Sequence, residues 1–431
     1  MSWSLERAED HLLSLELFGM RFGLERMRRL LTALDSPQER FAAIHVVGTN
    51  GKSSTVRMAA ALLEANGVRA GAYLSPHLVS YAERIRIGDE DVTPEAFGAA
   101  VQRAASAAAK VDRTLSGGER VTQFELLTAA ALDELARAGV DVAVVEAGLG
   151  GRWDATNVLG ADVAVLTNVG LEHTRWLGPT VADIAREKLA VVRPEATLVL
   201  GDVDAEVEAL ARDIRPHPPA IVRAAALDVP LRGYQRTNFE LAATAAQVWL
   251  QAAEPTPEAA AGAHPGGLDA ALVTAVAARV RVPGRLERVG EDPLTILDGA
   301  HNPSGMAALA AALPEVIGER PLVAVVSVLD DKDAAGMLEA LLGNCEAVVF
   351  TASRNPRALP PATLASLAGQ LTRGASGAGA GLRSEIVADP AAALERARGL
   401  AGPNGAVLAT GSIYLVADLV GGPARRRASA L

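Results

Sequence analysis

The sequence predicts an α/β protein of two units. Across its 431 residues, short apolar runs alternate with amphipathic or Ala-rich helical patterns, which is typical of parallel sheets covered by helices on both faces. The alternation breaks at Pro283 and Gly284, and a new strand–helix series follows. We therefore predict a larger unit at residues 1–283 and a smaller unit at residues 284–431.

The alternation assigns the elements in order. Predicted strands are Ala42–Val47, Ala70–Leu74, Val140–Val145, Val163–Leu166 and Thr197–Leu200, and then Leu294–Leu297, Pro321–Val328, Glu346–Phe350 and Ala406–Ala409. Predicted helices are Val56–Ala65, Phe124–Ala138, Asn238–Ala252, Ser304–Ala311 and Ala334–Leu342. Two Gly- and Ala-rich stretches, 252–267 and 374–381, are predicted surface loops.

A glycine-rich turn, GTNGKSST at Gly48–Thr55, is the most informative motif. It lies between a predicted strand and a predicted helix, where backbone N–H groups and the helix dipole converge on an anion. Lys52 adds a cation, so the motif predicts a phosphate-binding loop. It departs from the usual G-x-x-x-x-G-K-[ST] spacing, because Val46 stands at the first glycine position. A structural turn that happens to contain Gly-Lys is the alternative.

The composition excludes several classes of protein. Hydrophobic residues make up 50% of the chain and charged residues 21%, which is a globular composition. The net charge of −10 argues against a nucleic-acid or membrane-surface partner. The single cysteine, Cys345, fits a reducing compartment. Since there is neither a signal-peptide pattern nor an apolar run near the roughly 20 residues of a membrane span, we expect a cytoplasmic protein. We also expect a monomer, because nothing in the sequence suggests a strong self-association surface.

Unusual polar segments follow the ends of the predicted strands: GTNGK, LSPH, EAGLGG, TNVGLEH and DGAHN. Ligands of parallel α/β sheets bind at the carboxyl ends of the strands, so we expect these segments to form one site. Glu146 ends the buried run VAVVE, where a lone carboxylate is costly without a cation. An ion pair at a strand end is the alternative for Glu146.

Eleven strings, in register along the chain, resemble the Mur ligase superfamily and, within it, the folylpolyglutamate synthase/dihydrofolate synthase family. They are GLERMRRLL (23–31), GTNGKSST (48–55), YLSPHL (73–78), TQFELLTAAAL (122–132), EAGLGGRWDATN (146–157), TNVGLEH (167–173), LGPTVADIAREKLAVV (177–192), YQRTN (234–238), VPGRLE (282–287), LDGAHNP (297–303) and TGSIYLVAD (410–418). The resemblance implies the Mur ligase architecture, with an N-terminal P-loop ATPase domain and a smaller, Rossmann-like C-terminal domain that closes over the nucleotide.

The same resemblance implies an ATP- and Mg²⁺-dependent ligase that joins L-glutamate to folates. A substrate carboxylate takes the γ-phosphoryl group of ATP to give an acyl phosphate, which the amino group of L-glutamate then attacks. Dihydropteroate would be a second acceptor if the enzyme is bifunctional. The first step brings an anion against an anion, so positive charge must be preorganised around it.

The resemblance also implies ligands for two Mg²⁺ ions. Ser75 and Glu146 would bind the first ion and His173 the second, since Mg²⁺ prefers oxygen ligands and a neutral imidazole can bind a metal. Lys188 would carry an N6-carboxylysine, a carbamate formed with CO₂, which requires a lysine of lowered pKa. The alternatives are a turn residue at Ser75, a hydrogen-bonded structural histidine at His173 and a solvated lysine at Lys188. Glu172 stands where the family usually has Asp.

Residues of three kinds complete the site that the resemblance implies. The nucleotide would be bound by Gly48, Thr49, Asn50, Gly51, Lys52, Ser53, Ser54, Asn238, Arg285 and Asp298. The catalytic residues would be Lys52, Lys188 and His301. The folate would contact Arg21, Phe22, Gly23, Leu24, Thr122, Gln123, Phe124, Glu125, Trp153, Asp154 and Ala155. Trp153 replaces a common Leu, and it either stacks on the pterin or aminobenzoyl ring or fills a gap.

Three other functions are weaker predictions. A cell-wall ligase acting on UDP-sugar peptides would bring an N-terminal domain of about a hundred residues, and only 47 residues precede Gly48. A P-loop phosphotransferase would need neither the second unit nor the LEH and EKL strings. A non-enzymatic nucleotide-binding scaffold would not require so many polar residues at strand ends.

Overall fold

Two parallel-rich sheets form the framework of the protein in a computed structural model. The structure describes residues 2–15, 23–214, 219–252, 267–374 and 382–421. The predicted loops at 252–267 and 374–381 lie almost entirely outside these ranges. None of the described helices combines the length and the apolar character that crossing a bilayer requires. The predicted α/β fold class is confirmed by the two sheets, and the boundary between residues 283 and 284 stays a prediction.

The larger sheet has eight strands in the order β4-β3-β2-β5-β1-β6-β7-β8. Strand β3 pairs antiparallel with both β2 and β4 at one edge, and the neighbours in the run β2-β5-β1-β6-β7-β8 pair parallel. The strands are β1 (Ala42–Val47), β2 (Ala70–Tyr73), β3 (Ile85–Ile87), β4 (Glu90–Asp91), β5 (Val142–Glu146), β6 (Val163–Leu166), β7 (Thr197–Leu200) and β8 (Ala220–Arg223).

Helices cover both faces of this sheet, because its strands alternate apolar side chains between two cores. In β5, Val142 and Val144 pack toward one face while Ala143 and Val145 pack toward the other. The helices of this unit are α1 (Leu5–Ser14), α2 (Glu25–Thr32), α3 (Lys52–Ala65), α4 (Pro94–Asp112), α5 (Gln123–Ala138), α6 (Thr174–Leu177), α7 (Val181–Leu189), α8 (Ala205–Arg212), α9 (Tyr234–Ala252) and α10 (Ala270–Arg279).

The smaller sheet has six strands in the order β13-β12-β11-β14-β10-β9, in which β9 pairs antiparallel and the other pairs are parallel. The strands are β9 (Glu287–Glu291), β10 (Leu294–Leu297), β11 (Leu322–Val326), β12 (Ala347–Phe350), β13 (Arg383–Ile386) and β14 (Ala406–Thr410). The helices are α11 (Pro303–Ile317), α12 (Ala334–Leu342), α13 (Pro361–Gly374), α14 (Pro390–Ala401) and α15 (Ile413–Gly421).

The predicted elements exist, and the differences have local causes. The helix predicted at Ser304–Ala311 continues through Pro314 to Ile317, because its later turns bury Leu313 and Val316 in the smaller unit's core. Strands β3, β4, β8, β9 and β13 were not predicted, since most of their residues are exposed or partly exposed and several carry charges that hide the apolar pattern. Glu146 is the last residue of β5 itself rather than the residue after it.

The carboxyl ends of β1, β5 and β6 lie side by side, which brings their following loops together. Val46 pairs with Glu146, and Val47 pairs with Leu166. Gly48 follows β1 and passes so close to the next loop that a Cβ atom on it would lie 1.8 Å from Thr167 Oγ1 and 3.3 Å from the backbone nitrogen of Asn168. The glycine therefore permits the approach of two neighbouring loops.

We predict that Gly48→Ala lowers the free energy of unfolding by about 1–3 kcal/mol more than Gly118→Ala, because it overpacks two backbone segments. Gly118 is a matched control with a positive φ of 74°, and a methyl group added there would meet no described atom within 4 Å. The measurement is urea unfolding of the two variants and the wild type. Equal losses in both variants would contradict the close approach at Gly48.

Candidate active site

A crevice of about 1160 Å³ opens where the loops of the larger sheet face the smaller unit. Most of the predicted site residues line it. They are Gly23, Leu24, Gly48, Thr49, Asn50, Gly51, Lys52, Ser53, Ser54, Ser75, Thr122, Phe124, Glu125, Glu146, Trp153, Asp154, Ala155, His173, Lys188, Asn238, Arg285, Asp298 and His301. Gln123 does not, because its side-chain Nε2 donates to the carbonyl of Leu12. Arg21 and Phe22 lie outside the described residues.

Hydrogen bonds to the loop after β6 fix the conformation of the glycine-rich turn. The backbone N–H groups of Thr49 and Asn50 donate to the carbonyl and side-chain oxygens of Asn168, at 3.0 and 2.9 Å. Gly51 has a φ of 85° and precedes the first residue of α3, Lys52, whose Nζ donates to the carbonyl of Thr49 at 3.1 Å. The turn thus places a cation and the N-terminus of a 14-residue helix at the crevice.

Glu146 is the buried carboxylate beside this turn. Its Oε1 accepts from Ser53 Oγ and its Oε2 from the backbone nitrogen of Ser75, both at 3.0 Å. Burial raises the pKa of the Glu146 carboxyl, and the charge of Lys52 opposes that rise. A further cation in the crevice would stabilise the charged form of this carboxylate.

Lys188 lies on α7 and reaches the base of the same turn. Its Nζ donates to the carbonyl of Gly48 at 2.7 Å, and the residue is 4% exposed. Burial, followed by the charge of Lys52, lowers the pKa of Lys188 to about 7. Helix α7 can approach because Gly151 has no side chain: a Cβ there would lie 2.6 Å from the carbonyl oxygen of Glu187.

An ion-pair cluster joins the two units at the other side of the crevice. Glu172 Oε1 lies 3.1 Å from His301 Nε2, 3.1 Å from Lys332 Nζ and 3.8 Å from His173 Nε2. Burial alone would raise the pKa of Glu172, but His301 and Lys332 outweigh it and hold that pKa well below its usual range. Burial lowers the pKa of His173 to about 4, so its imidazole is neutral and can act as a metal ligand.

Two further predicted residues, Asn238 and Asp298, differ in how the protein uses them. Asn238 lies in the second turn of α9 against Gly51, and its buried Nδ2 has no hydrogen-bond partner among the described residues. The Asp298 carboxylate instead accepts from the hydroxyl of Tyr234 and from the backbone nitrogens of Leu286 and Ala300. Asp298 therefore stabilises its own turn, whereas the Asn238 Nδ2 donor is not used by any described residue.

An apolar wall adjoins the glycine-rich turn. Trp153, Leu171 and Trp176 line the crevice and are 43%, 58% and 38% exposed, which is unusual for large apolar side chains. Asp154 lies beside them, 6% exposed, and accepts from the backbone nitrogens of Leu149 and Thr156. A flat, partly apolar ligand with a polar edge would fit this wall.

The sequence prediction missed several crevice residues. Lys332 and Asn302 are the important ones, since each bonds to a residue of the larger unit. Asn302 and the turn residue Asn50 exchange two amide hydrogen bonds at 3.0 and 3.2 Å. Asn302 stands within the DGAHN segment and Lys332 in the DDKD segment after β11, so polar residues at strand ends were the available signal.

The donor set fits a divalent cation only in part. Within the described ranges, no group of three or more His, Cys, Asp or Glu side chains is arranged to hold a metal. Glu146 and the hydroxyls of Ser53 and Ser75 nevertheless provide hard oxygen ligands near the turn, and the buried hydroxyl of Ser54 has no partner in the part of the chain that the structure describes. Such a set suits Mg²⁺, which binds through one or two carboxylates, water and substrate phosphates.

Comparison with known proteins places the chain in a family. Residues 46–226 match the Mur ligase middle domain and residues 284–413 match the Mur ligase glutamate ligase domain. The dihydrofolate synthase/folylpolyglutamate synthase of Mycobacterium tuberculosis is 37% identical over 387 residues, which are 80% of this chain and 77% of the relative.

Solved structures agree with these matches. The M. tuberculosis folylpolyglutamate synthase complexed with ADP and AMPPCP has a TM-score of 0.82 and 33% identity, covering 98% of this chain and 99% of that one. The bifunctional folylpolyglutamate synthase/dihydrofolate synthase of Yersinia pestis complexed with AMPPNP and Mn has a TM-score of 0.78 and 27% identity, covering 97% of both chains. This chain belongs to the dihydrofolate synthase/folylpolyglutamate synthase family of Mur ligases.

Proposed function

We propose that this protein is an ATP-dependent ligase that adds L-glutamate to folates, and that it also converts dihydropteroate to dihydrofolate. The observation that carries the proposal is a single crevice in which the glycine-rich turn, the buried carboxylate of Glu146 and the apolar wall around Trp153 face the cations of the smaller unit. The names of the relatives support the reaction, and the nucleotides in the solved structures support ATP as the phosphoryl donor.

ATP binds with its phosphates at the turn Gly48–Ser54, where helix α3 begins. Lys52 and the N–H groups at the start of α3 neutralise phosphate charge. Asn238 has a buried donor beside Gly51 that no described residue uses, and it contributes a hydrogen bond to the nucleotide. Arg285 lines the crevice at the junction of the two units, and its guanidinium adds positive charge when the units close.

Glu146, Ser75 and His173 would hold Mg²⁺, with two ions in the full site. Bound there, Mg²⁺ supplies positive charge that offsets repulsion between the triphosphate and the incoming carboxylate. Glu146 is already oriented for this role by Ser53 and by the backbone of Ser75.

The acceptor lies along the apolar wall with its carboxylate toward the turn. One carboxylate oxygen attacks the γ-phosphorus, the bond to the β-phosphate oxygen breaks, and ADP leaves. The amino group of L-glutamate then attacks the acyl carbon, loses a proton and expels phosphate. His301, Lys332 and Arg357 line the crevice from the smaller unit and suit the carboxylates of L-glutamate.

The proposal also covers the division of the chain into domains and its oligomeric state. We assign residues 1–283 to the ATP-binding domain and 284–431 to the glutamate ligase domain, and the match that begins at residue 284 supports this division. Both walls of the crevice come from one chain, which supports a monomer as the active species.

The test is amide formation by the purified protein. It is incubated with ATP, Mg²⁺ and labelled L-glutamate, and dihydropteroate and tetrahydrofolate are supplied separately as acceptors. Label in both folate products, with one ADP released per glutamate added, supports both activities. Product from one acceptor alone limits the protein to that activity, and ADP formation without amide product would favour a phosphotransferase.

We predict that Lys52→Ala and Glu146→Ala each abolish ADP release, with kcat falling about 10³-fold or more, because the first removes a cation at the phosphates and the second removes a ligand of the Mg²⁺ that neutralises them. Glu187→Gln is the control: its carboxylate pairs with Arg152 at the outer surface. Circular dichroism and the unfolding midpoint check that the variants fold. Turnover near the wild-type rate in either alanine variant would contradict the assigned roles.

We also propose that Lys188 carries a carbamate that serves as an anionic metal ligand. Carbamate formation needs the free amine, and the pKa of about 7 makes that form abundant above neutral pH. Incubation with ¹³C-bicarbonate should therefore give a carbamate ¹³C resonance that grows as the pH rises through 7. The chain has four lysines, so Lys188→Met identifies the source. A resonance that survives this substitution, or none at pH 8, would rule the carbamate out.

A further inference from the structure

One buried carboxylate joins the two units inside the crevice. Glu172 lies on the loop between β6 and α6 of the larger unit, and its side chain is 9% exposed. Its Oε1 binds two side chains of the smaller unit: His301 on the turn after β10 and Lys332 on the loop after β11, both at 3.1 Å. The carboxylate thus fixes two separate loops of the smaller unit at one point of the larger unit.

His301 is held at both ends of its ring. Its Nδ1 lies 3.0 Å from the carbonyl oxygen of Gly299, and its Nε2 faces the Glu172 carboxylate. Each ring nitrogen of His301 therefore faces an oxygen that accepts hydrogen bonds, which fixes the orientation of the ring. Without the Glu172 carboxylate, His301 and Lys332 would each lose the acceptor that lies 3.1 Å from its side chain.

The next residue of the same turn is bound to the larger unit as well. Asn302 exchanges its two amide hydrogen bonds with Asn50 of the glycine-rich turn. Two successive residues of the smaller unit therefore contact the two loops that line the phosphate end of the crevice. The contacts that hold the two units together at this turn are therefore also the contacts that position His301.

We propose that Glu172 is a positioning residue that sets His301 and Lys332 for the second substrate when the units close. This role rests on the proposed ligase function. It acts on the half of the reaction that uses L-glutamate, because the two side chains that it holds belong to the smaller unit, whereas Lys52 and Asn238 on the larger unit serve the nucleotide. ATP binding does not require it.

The length of the side chain matters to this role. A Glu side chain reaches one methylene, about 1.5 Å, further than Asp. Both contacts of Glu172 are already 3.1 Å long, so a shorter carboxylate at the same backbone position cannot keep both. Glu172→Asp therefore retains the charge and loses the simultaneous contact with the two loops.

The experiment compares Glu172→Gln and Glu172→Asp with Glu315→Gln in steady-state kinetics. Glu315 is a matched control, since it also joins the units, through Arg236 and the backbone of Gly233, but lies outside the crevice. We expect Glu172→Gln to lower kcat/KM for L-glutamate about tenfold or more, and to leave the dissociation constant of ATP within about twofold. The kcat/KM of Glu172→Asp for L-glutamate should lie between those of Glu172→Gln and wild type, and the kcat/KM of Glu315→Gln should equal that of wild type.

A double-mutant cycle with Lys332→Met separates positioning from general stability. If Glu172 acts through Lys332, then Glu172→Gln has a much smaller effect in the Lys332→Met background than in wild type. The inference would be overturned if Glu172→Gln lowered kcat/KM for L-glutamate by the same factor in both backgrounds. It would also be overturned if Glu172→Gln and Glu315→Gln lowered kcat/KM equally. An inactive wild-type protein would instead overturn the proposed function on which the inference depends.

Discussion

The arrangement of the site depends on one constraint: anions must be brought together in a confined space. Glu146 is a buried carboxylate at the end of β5, and the glycine-rich turn beside it leads into the N-terminus of α3, which favours anions. Lys52, Lys188, Arg285, His301 and Lys332 surround the same crevice. Glu146 therefore lies near Lys52 and Glu172 near Lys332, while the turn lies at the N-terminus of α3, and the fold makes that arrangement possible.

The fold meets this constraint through strand register and close packing. Because β1, β5 and β6 are parallel neighbours, their carboxyl ends place Gly48, Glu146 and Thr167 within one region of the sheet. The absence of a side chain at Gly48 and at Gly151 lets the loops and helix α7 approach, which buries Lys188 and lowers its pKa. The lowered pKa of Lys188 thus depends on the close approach of backbone segments at these two glycines.

Much of this arrangement could be predicted from the sequence, because strand ends in parallel sheets are predictable and polar residues there are rare. The turn at Gly48 and the carboxylate of Glu146 were found in that way, whereas His173 was assigned from the family resemblance. Gln123 was assigned to the folate site by motif position alone, and its side chain turns to the backbone of Leu12 instead. Glu172 was noted only as a variant neighbour of His173, since its partners lie 129 and 160 positions away in sequence. Contacts between the units depend on how the units dock, and a local pattern does not encode that.

In the proposed site, a divalent cation at Glu146 joins the nucleotide to the protein. Calorimetric titration of a non-hydrolysable ATP analogue with and without Mg²⁺, in the wild type and in Glu146→Gln, measures this link. We expect Mg²⁺ to tighten nucleotide binding to the wild type by about tenfold or more, and Glu146→Gln to lose most of this coupling. Equal coupling in both proteins would contradict this link.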